Sequence, residues 1–188
     1  MPRPPAAREK LLAAYCEIVA GEGERAATLD AVAERAGVSK GGLLYHFKSK
    51  DALADAVIEG LHETAAADRE LMAAAPEGPA RYFVRGSLEA TSDVDTYFNA
   101  VLRLATAQHP GATDALAAIH NEWLALIRDE VGDEAVAEAI MLIGDGLYYH
   151  AALPGAGDAA STASHFRSRV EHVLEQVEVL RAAAARQR

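Results

Sequence analysis

The chain has 188 residues and one cysteine, Cys16, so it cannot close a disulfide within itself. A reducing cytoplasm is the simplest setting for such a sequence. Cys16 lies in "LLAAYCEIVA", where a small buried hydrophobe is the plain reading. That stretch follows Arg3, Arg8 and Lys10 and superficially looks like a secretory signal. Glu17 interrupts its apolar run, however, and no small-residue cleavage site closes it. Long apolar runs are missing too. "AIMLIGDGLYYHAAL" is broken by Asp145, and no segment has the uninterrupted length that a membrane span needs. β-Branched residues are sparse and alanine dominates, which favours helix over strand. The seven histidines form no HExxH or HxxxH pattern and no cysteine cluster accompanies them, so no metal site is expected. No nucleophile–base pair, phosphate loop or paired-carboxylate motif occurs. No catalytic residue or cofactor is therefore expected, and the chain does not read as an enzyme.

Lysine is scarce, and where it occurs is informative. All four lysines (Lys10, Lys40, Lys48, Lys50) fall in the first fifty residues, which carry 8 Lys+Arg against 6 Asp+Glu. The remaining 138 residues carry 10 against 22, within a net charge of −10. A high-GC preference for arginine explains part of this. A small polyanion-binding head attached to an acidic remainder explains it as well. Apolar residues make up 51% of the chain, enough for a packed core in one substantial domain or a small domain fused to a larger one.

Apolar spacing predicts helices throughout. The first spans 7–21, with Leu11, Leu12, Tyr15, Ile18 and Val19 on one side, and "GEGERAAT" ends it. Thr28 then reads as an N-cap with Asp30 in the first turn, and Gly37 ends that short helix. Ser39 caps a third helix ending near Phe47, and Ser49 a fourth. "AAAPEGPA" (73–80) marks a boundary, followed by longer helices near 80–92, 95–108, 111–131, 134–152 and 161–184.

Two short helices joined by "AGVS" are a helix-turn-helix pattern, whose second helix can enter the DNA major groove. Leu43 and Phe47 would join Val32 and Leu53 in a small core, leaving Lys40, Gly41, Gly42, Leu44, Tyr45 and His46 on or near the surface. Glycines at the start of that helix remove bulk where the backbone would meet phosphate or a base edge. Singly, each of these residues reads as loop or ordinary core; in this order, after a capped amphipathic helix, they point to DNA.

The stretch "ATLDAVAERAGVSKGGLLYHFKSKDAL" (27–53) resembles the DNA-binding domain of the TetR family of bacterial transcription regulators. The resemblance implies an all-α protein of about nine helices. A three-helix head (residues 1–53, with a connecting fourth helix from 50) would bind DNA, and residues 54–188 would bind a ligand and dimerise. It further implies DNA contacts from Thr28, Ser39, Lys40, Gly41, Gly42, Leu44, Tyr45, His46 and Lys50, with an inverted-repeat operator as partner. Gly42 stands where Thr, Ser or Asn is usual, and Leu44 where Tyr is frequent. Fewer hydrogen bonds are thus available to bases, and apolar contact or DNA shape must carry more of the specificity.

The resemblance also places the dimer in the last two helices, where Phe166, Val170, Val173, Val177 and Leu180 form an apolar stripe and Gly144 and Gly146 suit close helix approach. A small-molecule inducer would meet Tyr97, Phe98, Leu102, His120, Trp123, Ile127, Met141, Asp145 and Tyr149, which lie a turn apart on three consecutive helices. Asp145 favours a neutral or cationic ligand, with His120 as an alternative partner. A homodimeric, cytoplasmic, ligand-responsive repressor is the leading expectation. A helical interaction protein, or an enzyme, retaining a vestigial head is the alternative.

Overall fold

The computed structural model describes the backbone of residues 7–89, 92–151 and 160–186; side chains at 88, 89, 151 and 160–171 lie outside the described residues. Among the described residues there are nine α-helices and no strand. They are α1 (Ala7–Glu22), α2 (Leu29–Ala36), α3 (Lys40–His46), α4 (Lys50–Ala74), α5 (Pro79–Glu89), α6 (Asp93–Thr106), α7 (Ala112–Val131), α8 (Glu134–Ala151) and α9 (Ala160–Ala185). A 3-10 turn, Glu24–Ala26, follows α1. The all-α class expected from composition is borne out.

Local chemistry sets the short helices. Thr28 Oγ1 accepts from the Ala31 amide at 3.1 Å, Ser39 Oγ from the Gly42 amide at 3.1 Å, and Ser49 Oγ from the Ala52 amide at 3.1 Å. Each satisfies one of the orphan donors at a helix start. Gly37 closes α2 at φ 65°, a left-handed conformation that suits glycine, and its amide bonds back to Ala33 and Glu34.

The chain forms two compact units. The first comprises residues 1–66 and 93–119, and α1 packs there against α2, α3 and α6. Its core holds Leu11, Tyr15, Ile18 and Val19 of α1, Val32 of α2, Leu43 and Phe47, Leu53, Val57 and Leu61 of α4, and Val101 and Leu104 of α6. Each such aliphatic or aromatic side chain contributes about 1.5–3 kcal/mol on burial. Cys16 is buried among them, and burial pushes its thiol up to about 12, so it behaves as a neutral hydrophobe. Gly60 lets the α6 ring of Tyr97 lie directly on α4, since a Cβ there would stand 2.5 Å from Tyr97 Cε1.

The second unit comprises residues 67–92 and 120–188, with α5 packed on α8 and α9. Gly144 permits a close approach of α5 to α8: a Cβ at this position would lie 2.8 Å from Phe83 Cδ1 and 3.0 Å from Ser87 Oγ. Glu130 of α7 accepts from the Ala80 amide in the first turn of α5 at 2.7 Å, and also pairs with Arg181 of α9. One carboxylate thereby joins three helices. Val84, Ile127, Ile140, Met141, Leu174 and Val177 are buried here.

Candidate nucleic-acid interface and body site

The outer face of α3 is built by the caps and by its buried side. Leu43 and Phe47 point into the core, so Lys40, Gly41, Leu44, Tyr45 and His46 are exposed while Gly42 is half-buried. Tyr45 is 84% exposed and Leu44 40%, an unusual display of large apolar surface on so short a helix. The Tyr45 ring meets His46 edge-on at 5.1 Å between centroids. Thr28 and Ser39 are exposed at their caps.

The two adjacent glycines have different roles. Gly41 faces open space, as a bare backbone approach requires. At Gly42 a Cβ would stand 2.9 Å from Val38 Cγ1 and 3.2 Å from Ser39 Oγ. That position is small because the turn crowds it, which corrects the expectation that both glycines clear the surface.

The lysines separate likewise. Lys40 Nζ lies 2.8 Å from Asp30 Oδ1 and 3.0 Å from Oδ2, an exposed pair across the helix-turn-helix. Lys50 Nζ lies 2.7 Å from Glu24 Oε1 and also donates to the Glu24 carbonyl, with only 28% of its side chain exposed. It ties α4 to the 3-10 turn. Lys48 and Arg25 are exposed and in no ion pair among the described residues; neither stood out as a DNA contact in the sequence. Their signal in the sequence was membership of the basic first fifty residues.

The residues expected at a ligand site fall in both units. Tyr97, Phe98 and Leu102 belong to the first, with Tyr97 seated on Gly60 and Leu102 exposed. His120, Trp123, Ile127, Met141, Asp145 and Tyr149 belong to the second. Ile127 and Met141 are core, whereas Tyr149 is 65% exposed. Trp123 is largely buried, its ring 5.8 Å from that of Phe83. Its Nε1 donates to Asp68 Oδ2 at 3.1 Å, and Tyr82 donates to Asp68 Oδ1 at 2.9 Å. Burial, then the bond to Asp68, pushes the Tyr82 hydroxyl up to about 12. Asp68 was missed from sequence, though it lies on the buried stripe Leu61, Ala65, Met72, where a carboxylate is out of pattern. His120 Nδ1 stands 4.0 Å from Asp145 Oδ2. Desolvation raises the Asp145 carboxyl above its ordinary value, and His120 acts in the opposite sense.

Two further expectations are refined. Gly144 serves close helix approach within one chain, where Phe83 and Ser87 of α5 lie against it, whereas Gly146 faces open space. Within the stripe on α9, Val177 is buried in the chain's own core, Val173 and Leu180 are half-buried, and the side chains of Phe166 and Val170 lie outside the described residues. α9 turns Val177 towards the other helices of its own unit.

Among the described residues no cluster of His, Cys, Asp and Glu could hold a metal ion, and no helix is long and apolar enough to cross a membrane.

Comparison with known proteins gives two family matches. Residues 11–57 match the family described as bacterial regulatory proteins, tetR family, and residues 77–176 match the tetracyclin repressor-like C-terminal domain. No curated protein matches. Solved structures with the same fold include a transcriptional regulator from Rhodococcus sp. RHA1, with 22% identity and a TM-score of 0.60 over 97% of each chain. A transcriptional regulator from Streptomyces coelicolor A3(2) has 24% identity and a TM-score of 0.57 over 88% of this chain and 98% of its own. A gamma-butyrolactone receptor has 17% identity and a TM-score of 0.57 over 97% of this chain and 98% of its own.

Proposed function

The chain belongs to the TetR family of bacterial transcription regulators, and we propose that it is a homodimeric repressor that leaves an inverted-repeat operator when a small molecule binds. The observation that carries this reading is the outer face of α3. Gly41, Leu44, Tyr45 and His46 are held outward by two side-chain caps and a buried Leu43–Phe47 pair. Residues 1–53 form the DNA-binding part. Tyr45 and His46 meet phosphates and sugars, Thr28 and Ser39 add hydroxyl contacts at the caps, and Lys48 and Arg25 supply positive charge. Lys50 acts indirectly by holding the start of α4 in place.

Residues 54–188 bind the ligand and dimerise. The ligand contacts proposed are those of the second unit: His120, Trp123 and Asp145, expected from sequence, joined by Asp68, Tyr82 and Phe83. Aromatic rings beside two carboxylates suit a flat or extended molecule that carries a hydrogen-bond donor. Structures of the same fold include a gamma-butyrolactone receptor and a multidrug binding protein solved with imidazole, so ligand binding has precedent on it. A ligand can weaken DNA binding only by preferring the form of the protein that binds DNA less well. The dimer surface proposed lies on α8 and α9, where Leu142, Tyr149 and Val179 are exposed.

The test uses duplexes enriched from a random-sequence pool by the protein itself. Enrichment of an inverted repeat whose affinity falls with salt supports the reading; failure to enrich any sequence overturns it. Trp123 emission then reports the ligand, since a compound that both shifts this emission and releases the DNA is the inducer.

A further inference from the structure

We propose that Leu44 reads a thymine by its C5-methyl group, and that this apolar contact is the principal direct base readout of α3. The inference rests on the DNA-binding reading above and goes beyond it by assigning the base and the atom.

The polar groups that normally read base edges are missing from this helix. Bidentate recognition of guanine takes Arg or Lys, and that of adenine takes Asn or Gln. Residues 40–46 read Lys-Gly-Gly-Leu-Leu-Tyr-His, so Lys40 is their sole candidate of these four types. Its ammonium is held by both carboxylate oxygens of Asp30, at 2.8 and 3.0 Å, towards α2. Gly41 offers no side chain, and Gly42 is kept small by Val38 and Ser39. The outward side chains are then Leu44, Tyr45 and His46. Tyr45 and His46 pack edge-to-face on each other, and neither is of the types that read a base edge bidentately. Leu44 has nothing polar to offer.

An exposed leucine on a helix that docks in the major groove must nevertheless be desolvated against something. The apolar group that the groove presents is the thymine methyl. Open space at Gly41, one turn before Leu44 and Tyr45, lets the backbone come close enough for a side chain of leucine's length to reach it. Burying a methyl group against Leu44 corresponds to about fourfold in affinity for one half-site, and about sixteenfold for a symmetric pair.

The experiment takes the enriched duplex and replaces each thymine in turn, symmetrically in both half-sites, by deoxyuridine, which lacks only the methyl group. Affinity is measured for the wild type and for Leu44→Ala, whose folding is checked by circular dichroism. The expected result is one thymine position where deoxyuridine weakens wild-type binding by about sixteenfold. At that position Leu44→Ala binds thymine and deoxyuridine equally, and 5-methylcytosine opposite guanine recovers part of what cytosine loses. Equal weakening by deoxyuridine in both proteins would assign the methyl contact elsewhere and overturn the proposal. So would a consensus that deoxyuridine leaves unchanged throughout. Failure to enrich any DNA overturns the DNA-binding reading itself, and so is distinguished from failure of the base assignment.

Discussion

Replacing Lys50 by Met keeps most of the side-chain stem and removes the charge. In the structure Lys50 Nζ lies 2.7 Å from a Glu24 carboxylate oxygen and also donates to the Glu24 carbonyl, with the two side chains 28% and 31% exposed. A hydrogen bond to a charged group contributes roughly 1.5–3 kcal/mol, and a solvent-exposed ion pair only about 0–1 kcal/mol. This pair lies between the two, so Lys50→Met is expected to cost about 1–2 kcal/mol. For a chain of this size that lowers the melting temperature by roughly 2–8 °C, read by circular dichroism. Lys48 is exposed and in no ion pair among the described residues, so Lys48→Ala should leave the melt unchanged. It should instead reduce the slope of log affinity against log salt by about one unit for each phosphate that Lys48 neutralises. Lys50→Met should leave that slope unaltered. If it flattens the slope and spares the melt, Lys50 leaves Glu24 to contact phosphate, and the assignment of the two lysines is reversed.

Gly144→Ala gains about 1 kcal/mol of helix propensity but forces Phe83 and Ser87 away from α8, so a net loss of up to about 2 kcal/mol is expected in urea titration; a more stable variant would show that α5 and α8 have room between them. Asp145 titrates above its ordinary value in the folded chain because it is desolvated, so its ionised form destabilises the fold. Stability from this group is complete below the unfolded value and is lost as pH rises through the folded one. Asp145→Asn should therefore melt higher than wild type at pH 7, with the advantage shrinking on acidification; an advantage that grows on acidification would refute this. Leu142→Glu and Tyr149→Glu, on exposed positions of α8, should convert the proposed dimer to monomer in light scattering without lowering helix content. Val177→Glu should instead unfold the second unit by burying a charge, so it is a poor probe of association.

What the sequence disclosed was what short-range chemistry decides. The caps at Thr28, Ser39 and Ser49 and the left-handed Gly37 depend on partners within three or four residues, so they were legible by inspection. Burial of Leu43 and Phe47 followed from their four-residue spacing. The partner of Lys50 lies 26 residues back, and nothing local marks Glu24 as the one chosen. Gly144 needed Phe83, and Val177 needed the rotation of α9 within its unit; both depend on how helices far apart in sequence meet. Asp68 was visible as a carboxylate on an apolar stripe, but its tie to Tyr82 and Trp123 joins three helices.

The central claim is that the outer face of α3 holds DNA. Fluorescence anisotropy of the enriched duplex, titrated with wild type and with the Tyr45→Ala, His46→Ala double variant, tests it most directly. Both side chains are exposed, so the double variant should keep its fold and dimer. Its affinity should drop by roughly 5- to 150-fold, taking about 1–3 kcal/mol for the hydrogen bonds to DNA that the two substitutions remove. A folded double variant that binds the duplex as tightly as wild type would contradict the claim.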